Sequence, residues 1–368
     1  MVTPTFINTD SEVIVAEIVA DYEQRTGKTL QPGQAEYLLI NAFAFREKIL
    51  REQIQAAGLQ MLIHFATAPA LDYLAELVGL TRLAASFATT TLQFTLVAGH
   101  GGVVIPANTR IASTDGKVFF ATQENITVAV GVNSATAICF ASQSGTIANG
   151  YAIDTITQIL DPLAFLESAT NTDSSAGGAD AETDEQLRER AKLAPSQFSV
   201  AGPSDAYKFF AKSASPDIID VAVTSPVPGT VNVYPLVTGG IATPSGTLSL
   251  VNTVLNDEKV RPLSDTVAVL SPTIQNFDIA VDVVTYTDAD VSDVQATIET
   301  ALLEYINAKK TKLGQDIKLD QITAIAVYDN TKVFDVTITS PSADVVITET
   351  EVAVNGTITV NITGSSDG

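Results

Sequence analysis

Two histidines, His64 and His100, and one cysteine, Cys139, are the whole stock of imidazole and thiol in 368 residues. Every catalytic triad, thiolate nucleophile or imidazole-based metal site must therefore use one of these three. His100 stands in Gly99-His100-Gly101-Gly102, superficially an oxyanion-hole segment of esterases. No G-x-S-x-G follows it, however, and the alternating sequence on either side makes it the tip of a strand-to-strand turn. His64 lies just ahead of Pro69 in an apolar stretch and reads as a helix-surface or packing residue. Cys139 belongs to the run Ala135, Ala137, Cys139, Ala141, the buried face of a strand, so it reads as a core thiol. A lone cysteine also excludes an intrachain disulfide and a cysteine zinc cluster.

The carboxylates offer two further groupings. Asp288, Asp290 and Asp293 have loop-like spacing but lack the glycine and terminal glutamate of an EF-hand; helix initiation, with Asp290 or Ser292 as the cap, is the plainer reading. Asp180, Glu182, Asp184 and Glu185 sit at a loop-to-helix junction, where acids favour the positive end of the helix dipole. There is no P-loop, no dinucleotide fingerprint and no H-E-x-x-H. The sequence thus predicts neither an enzyme nor a cofactor or metal site.

The elements that carry these residues fall into a series. The first ~85 residues are predicted helical. Ser11 is positioned to cap a helix bearing Ile14, Val15, Ile18, Val19 and Tyr22, and Gly27 ends it. A second helix, from Gln34 to Ala57, repeats apolar residues at Ala35, Leu38, Ala42, Phe45 and Ile49 in steps of three and four, a coiled-coil seam. A second stripe of Leu39, Phe43, Leu50, Ile54 and Ala57 makes it wider than one partner helix would cover. Packing within the chain and packing in a multi-chain bundle both fit this pattern. Pro69 starts a third helix with Leu71, Leu74, Leu77 and Val78 inward, closed by Gly79.

From Thr91 the period falls to two, giving a β-rich domain with strands at 118–121, 126–130 and 135–141. Residues 168–181 read as a linker or exposed loop. Thr183 opens a helix that Pro195 stops, and a further helix covers 204–212. Two units of strand, helix and strand follow: 217–223, 230–237, 247–258 and 265–270, then 274–286, 291–308, 319–326 and 332–339, with a basic turn of Lys309, Lys310, Lys312 and Lys318. Asn355-Gly356 between alternating runs predicts a terminal β-hairpin. The expected fold is α+β and multidomain. Its parts are a helical module at 1–85, a β-rich domain at 86–167, linker and helices at 168–215, a first α+β unit at 216–272 and a second with the hairpin at 273–368.

Hydrophobic residues make up 46% of the chain and charged residues only 17%. That excludes wholesale disorder and leaves few charges to wet a monomer's surface, so partner-covered surface is expected. A net charge of −22 argues against generic binding to nucleic acid or an anionic membrane. The uncharged stretch 221–256 is broken throughout by proline and glycine, which rules it out as a membrane helix. Met1 to Asp10 lacks a basic start and apolar core, so no signal peptide is expected, and synthesis and assembly in a cytoplasm are.

One block is more specific. Gly177-Gly178-Ala179-Asp180-Ala181-Glu182-Thr183-Asp184-Glu185-Gln186-Leu187-Arg188-Glu189-Arg190 resembles the signature stretch of the baseplate J-like family, wedge proteins of contractile phage tails and related contractile injection systems. Gly177, Gly178, Asp180, Glu182, Arg188 and Arg190 carry the match. Ala70 to Ala75 with Gly79 to Arg82 resembles the family's upstream helix. Val104 to Ile111 with Phe119 to Thr122 resembles its β domain, although the family commonly has Gly where Asn108 stands. Gly202 to Tyr207, Ile219 to Val223 and Arg261-Pro262-Leu263 follow in the family's order.

The resemblance, over roughly 60–340, implies a scaffold with no catalytic residues. Its expected partners are further copies of itself, a second wedge protein, the central hub or spike, and sheath-initiator or tube proteins. Its expected place is the tail baseplate of a virion or a contractile injection particle, where a ring of subunits has a possible part in triggering contraction. On this reading Leu38, Ala42, Phe45 and Ile49 are the bundle interface. The competing readings are a receptor-binding adhesin of the tail, which would trimerise as a fibre, and a tail-borne cell-wall hydrolase, which would need His64 or His100 or a glutamate in a cleft.

Overall fold

A computed structural model describes residues 2–198, 203–257, 260–262, 264–328 and 332–367. Gly202 and Leu263 of the family-like segments lie outside the described residues. The chain forms two compact units, one of residues 1–81 with 187–191, the other of 82–186 with 192–368.

The first unit is helical: α1 Ser11–Thr26, α2 Ala35–Gln60 and α3 Ala70–Glu76. Asp10, not Ser11, caps α1, its carboxylate accepting the Glu12 N–H. The acid one residue earlier reaches the unpaired donors of the first turn, while Ser11 already has helical backbone. Gly27 ends α1 with φ +69 and an N–H to the Glu23 carbonyl, a left-handed cap. In α3 the inward residues are Leu71 and Ala75, four apart on one face, with Leu80 beyond the helix. Leu77 points outward, contrary to expectation, because the helix ends at Glu76 and the inward stripe does not continue to it.

The second unit opens with strands β1 Phe87–Leu96, β2 Val103–Ile105, β3 Arg110–Ser113, β4 Phe119–Thr122, β5 Ile126–Val128, β6 Ser134–Ser144, β7 Ile156–Ile159 and β8 Leu166–Asn171. Six form a sheet in the order β7-β3-β4-β6-β1-β8, and β2 pairs with β5 beside it. The sheet curls so that β7 and β8, at the two ends of the order, lie side by side. Alternation puts Leu92, Phe94, Leu96, Ile111, Phe120, Cys139 and Ile156 into one core.

The segment expected to be a linker at 168–181 is not one. Residues through Asn171 are strand, and Ala176 and Ala179 bridge back to Thr89 and Ser86. Its small polar composition mimics a loop, but two of its side chains, Asn171 and Ser175, are buried and hydrogen-bonded to backbone.

Helices α4 Asp184–Leu193 and α5 Ser204–Ala214 follow, α4 running into a 3-10 turn at Ala194–Phe198 that contains Pro195. Next come β9 Ile218–Thr224, β10 Thr230–Val237, α6 Ser245–Leu255 and β11 Thr266–Val269. The last elements are β12 Thr273–Tyr286, α7 Val291–Lys309, α8 Leu319–Tyr328, β13 Val333–Ser340 and β14 Glu351–Ser366. Asp290 caps α7, accepting from Ser292 and Asp293.

Both α+β units are three-stranded mixed sheets, β11-β10-β9 and β13-β12-β14, whose central strand has one parallel and one antiparallel neighbour. Their connections differ. The antiparallel partner β9 precedes β10, whereas β13 follows β12 through α7 and α8. Leu236, Leu313 and Val352 join the two units in a small shared core, and the Leu313 N–H donates to Asp220 at 2.9 Å.

The terminal hairpin is absent. Residues 351–366 are one strand, β14, running parallel to β12. At Asn355-Gly356 the register slips and the chain continues, because the Asp278 carboxylate takes the Thr357 N–H at 2.7 Å and holds the strand straight through. A Cβ on Gly356 would stand 2.4 Å from that carboxylate. The glycine therefore serves a close approach and not a turn.

Candidate assembly surface

The second helix carries the first group of expected site residues. Only Ile40 and Ala44 of α2 are buried. The face that includes them is held to the N-terminal segment and to α1 by polar contacts. Arg51 donates to Glu17 at 2.8 Å and to Glu47 at 2.9 Å, Gln55 donates to the Pro4 carbonyl at 2.7 Å, and the Phe6 ring lies over Gly58. The hydrogen bonds from Arg51 to Glu17 and Glu47 raise the guanidinium's already high pKa, so Arg51 stays charged at any ordinary pH.

The opposite face is apolar and open. Leu38 is 60% exposed, Phe43 61% and Phe45 63%, and Leu39, Ile49, Leu50 and Ile54 are also exposed. Ala42 is exposed as well. At about 100° per residue this set sweeps roughly half the helix circumference. Leu38, Ala42, Phe45 and Ile49 do lie along one line of that arc, as their spacing implies. The arc is far more apolar surface than a lone soluble helix carries without a function.

The signature block is spread over both compact units. In the second unit, Asn149 grips Gly178: its side-chain oxygen accepts the Gly178 N–H at 2.9 Å and its NH2 donates to the Gly178 carbonyl at 2.7 Å. A Cβ on Gly178 would stand 2.3 Å from the Gly145 carbonyl. Gly177, at φ +87, provides the left-handed turn beside it. Asp180 accepts from the Thr146 N–H and hydroxyl at 3.2 and 3.1 Å. Glu182 is buried and accepts the Leu83 N–H at 2.9 Å, while Arg82 donates to the Glu182 carbonyl and to Asp184 at 2.8 and 2.7 Å. Thr183 and Gln186 then form a reciprocal capping box that starts α4.

In the first unit, the buried guanidinium of Arg188 donates to the carbonyls of Ile63, at 2.8 Å, and Ala66, and that of Arg190 to Thr81 at 2.7 Å. The motif thus fastens distant backbone through buried, fully engaged polar groups. Of its acids Glu182 is buried, and Asp180 and Asp184 are hydrogen-bonded to Thr146 and Arg82.

Sequence reasoning missed several residues of equal weight. Asn171 is wholly buried; its oxygen accepts from Thr155 and Ile156 at 3.0 and 2.9 Å and its NH2 reaches the Ala152 and Asp173 carbonyls. It bridges β8 to β7. Asp173 takes the Thr90 hydroxyl and the Thr91 N–H. Both sit in a polar run whose composition signals only a loop.

The residues considered for chemistry are placed apart. His100 is buried in the turn after β1, its Nδ1 accepting from Gly102 at 3.2 Å and its Nε2 paired with the Val132 carbonyl at 2.9 Å. His64 is exposed beside Phe65. Cys139 is buried, and desolvation pushes its thiol up to about 12. Among the described residues, no group of three or more His, Cys, Asp or Glu is arranged to hold a metal, and no helix is long and apolar enough to cross a membrane.

Three family profiles match the chain in order: the Baseplate J-like protein barrel domain at 91–178, the Baseplate J-like central domain at 199–271 and the Baseplate J-like protein C-terminal domain at 277–361. The chain belongs to the baseplate J-like family. In this baseplate J-like chain the barrel match runs from β1 to Gly178, so the strand closure at Asn171 and the clamp at Asn149 both fall inside it. Baseplate protein J of Escherichia phage P2 is 32% identical over 188 residues, 50% of this chain and 61% of that protein. The matched stretch spans less than two thirds of that relative's length. A chain of the sixfold-symmetrised cryo-EM structure of the anti-feeding prophage baseplate is similar at a TM-score of 0.43 and 14% identity, over 94% of this chain and 90% of that one.

Proposed function

We propose that this chain is a structural subunit of a contractile-tail baseplate, a wedge component that joins its neighbours through the open apolar face of α2. The observation that carries the reading is that face, roughly half a helix circumference of exposed Leu, Phe and Ile on a chain of this family. One helix packed against another covers a narrower stripe, so the arc fits two partner helices at once. Further copies of this chain and a second wedge protein are the proposed occupants. The ring around a central hub or spike, and contact with sheath-initiator or tube proteins, are the proposed setting in a virion or injection particle.

The five-part division at 1–85, 86–167, 168–215, 216–272 and 273–368 is proposed as the set of units that separate partners contact. A part in triggering contraction is proposed on general grounds: a closed ring held by subunit contacts is bistable and can be released by a signal from outside. Family membership and the hydrogen bonds that hold Asp180, Glu182 and Asp184 to neighbouring groups of the fold favour a scaffold over a hydrolase. An adhesin role would be favoured by trimerisation. Co-expression with the neighbouring tail proteins, followed by mass determination of whatever co-purifies, tests the reading: a stable heteromeric complex supports it, and a chain indifferent to every neighbour overturns it.

A further inference from the structure

The outer face of the barrel sheet carries a group of phenylalanines. In β4 and β6 alternate residues turn inward, Phe120, Cys139 and Ala141 among them, which leaves Phe119, Ala121 and Phe140 on the outside. Ala121 pairs with Phe140 across the strands and stands two residues from Phe119, so a small side chain lies between two rings. Phe87, at the start of β1, is exposed beside them. Together they line an open hollow of about 700 Å³, within the size range of small-molecule clefts.

The rim of the hollow is polar. Asn108, Gln123, Glu124 and Ser142 complete it, all exposed, and among the described residues none of these four side chains has a hydrogen-bond partner. Asn108 reaches the rim from a left-handed turn, φ +64, which glycine adopts at less cost, so what the position gains is an amide. Arg110 stands over the Phe119 ring at 5.7 Å, and Asp161 takes up its charge through three hydrogen bonds of 2.8 to 2.9 Å.

These features restrict the occupant. β4 lies between β3 and β6, and β6 between β4 and β1, so neither offers a free row of backbone groups to an added strand, and recognition rests on side chains. Arg110, the cation of the lining, is already paired, and the open charge is the Glu124 carboxylate on a chain of net charge −22, which disfavours an anionic ligand. What suits the hollow is a neutral, hydroxyl-rich molecule with an apolar face. A pyranose has both: its C–H face lies against an aromatic ring, and its hydroxyls bond to amides and a carboxylate. We infer that this hollow is a binding site for a neutral oligosaccharide, with Phe140 as the stacking ring and Asn108, Gln123 and Glu124 as the hydroxyl partners. The inference stands apart from the proposed baseplate role, because it concerns the barrel face and not α2, and either can fail alone.

The test is an array of immobilised neutral and anionic oligosaccharides probed with the full chain, followed by calorimetric titration of the best-bound sugar. Phe140→Ala and Gln123→Ala are compared with Ile138→Ala, which removes another exposed side chain of β6 outside the hollow; thermal unfolding verifies each fold. A neutral oligosaccharide is expected to bind, with the same affinity at low and high salt. Loss of the Phe140 ring or of the Gln123 amide should each weaken binding about tenfold, and Ile138→Ala should leave it unchanged. Gln123 is exposed, so its variant tests the site even where Phe140→Ala disturbs the sheet.

Binding of no neutral sugar, binding of anionic sugars alone, or binding indifferent to both variants would overturn the proposal. So would a neighbouring tail protein that is lost from the complex in Phe140→Ala while no sugar binds, since the hollow would then be a protein contact. A sugar held by a chain that joins no tail protein would instead uphold the site and defeat the baseplate role.

Discussion

Asn149 and Gly178 are locked by a two-point amide clamp, 2.9 Å from the glycine N–H and 2.7 Å to its carbonyl. The position leaves no space for a side chain, since a Cβ would lie 2.3 Å from the Gly145 carbonyl and 3.1 Å from Ala88 Cβ. Both obstacles belong to the barrel's own backbone and core, so neither can swing aside. Gly178→Ala should cost about 1–3 kcal/mol, the usual price of overpacking. Thermal unfolding of the full chain measures it, and a shift no larger than that of an exposed alanine substitution would count against the clamp.

Arg188 satisfies the carbonyls of Ile63 and Ala66 from a buried position. Arg188→Met keeps the aliphatic length and removes the donors, leaving buried acceptors unpaired. The expected loss is about 1–3 kcal/mol in denaturant unfolding. Arg188→Lys should recover only part of it, because an ammonium lacks the planar fork that reaches two carbonyls.

The pair of Arg110 and Asp161 predicts a pH dependence. Three hydrogen bonds from Arg110, two from the guanidinium and one from the backbone N–H, hold the Asp161 carboxyl down at about 2. A carboxylate with a depressed pKa in the fold adds stability above its unfolded value, about 3.9, and loses it as pH falls toward the folded one. Asp161→Asn should therefore be less stable than wild type at pH 7, and the difference should close as pH falls through about 2. A difference in melting temperature that does not shrink with acidification would contradict the pairing. Both groups are partly exposed, so the effect should also shrink with added salt.

Cys139 should be silent in the native chain. Its thiol is buried in the barrel core and pushed up to about 12 by desolvation, and the thiolate is the reactive form. Maleimide labelling at pH 7.5 should be negligible in buffer and complete in denaturant. Rapid labelling of folded protein would mean that the β6 face is open.

Much of this architecture was legible in the sequence because periodicity reports burial. The two-residue alternation of β1 and β6 placed Phe94 and Cys139 inward, and the signature block named its own helix start. The face of α2 that packs within the chain was not legible. The apolar stripes of Leu38, Phe45, Leu39 and Phe43 dominate the pattern, yet inside this chain they stay exposed, while Ile40 and Ala44 pack beside Arg51 and Gln55. Periodicity finds an apolar face without saying whose atoms cover it. Asn355-Gly356 misled for a related reason: the dipeptide suits a tight turn, but Asp278, far away in sequence, occupies the space that the glycine leaves. Asn171 and Asp173 were hidden because side chains that bond buried backbone have the same composition as a solvated loop.

The central claim is that the outward face of α2 is an interface. It is tested most directly by co-purifying the chain with its neighbouring tail proteins as wild type and as Leu38→Glu/Phe45→Glu. Both positions are exposed, so the substitutions should leave the melting temperature almost unchanged. The account predicts that the complex is lost while the chain stays folded; a complex recovered in full from the doubly charged helix would contradict it.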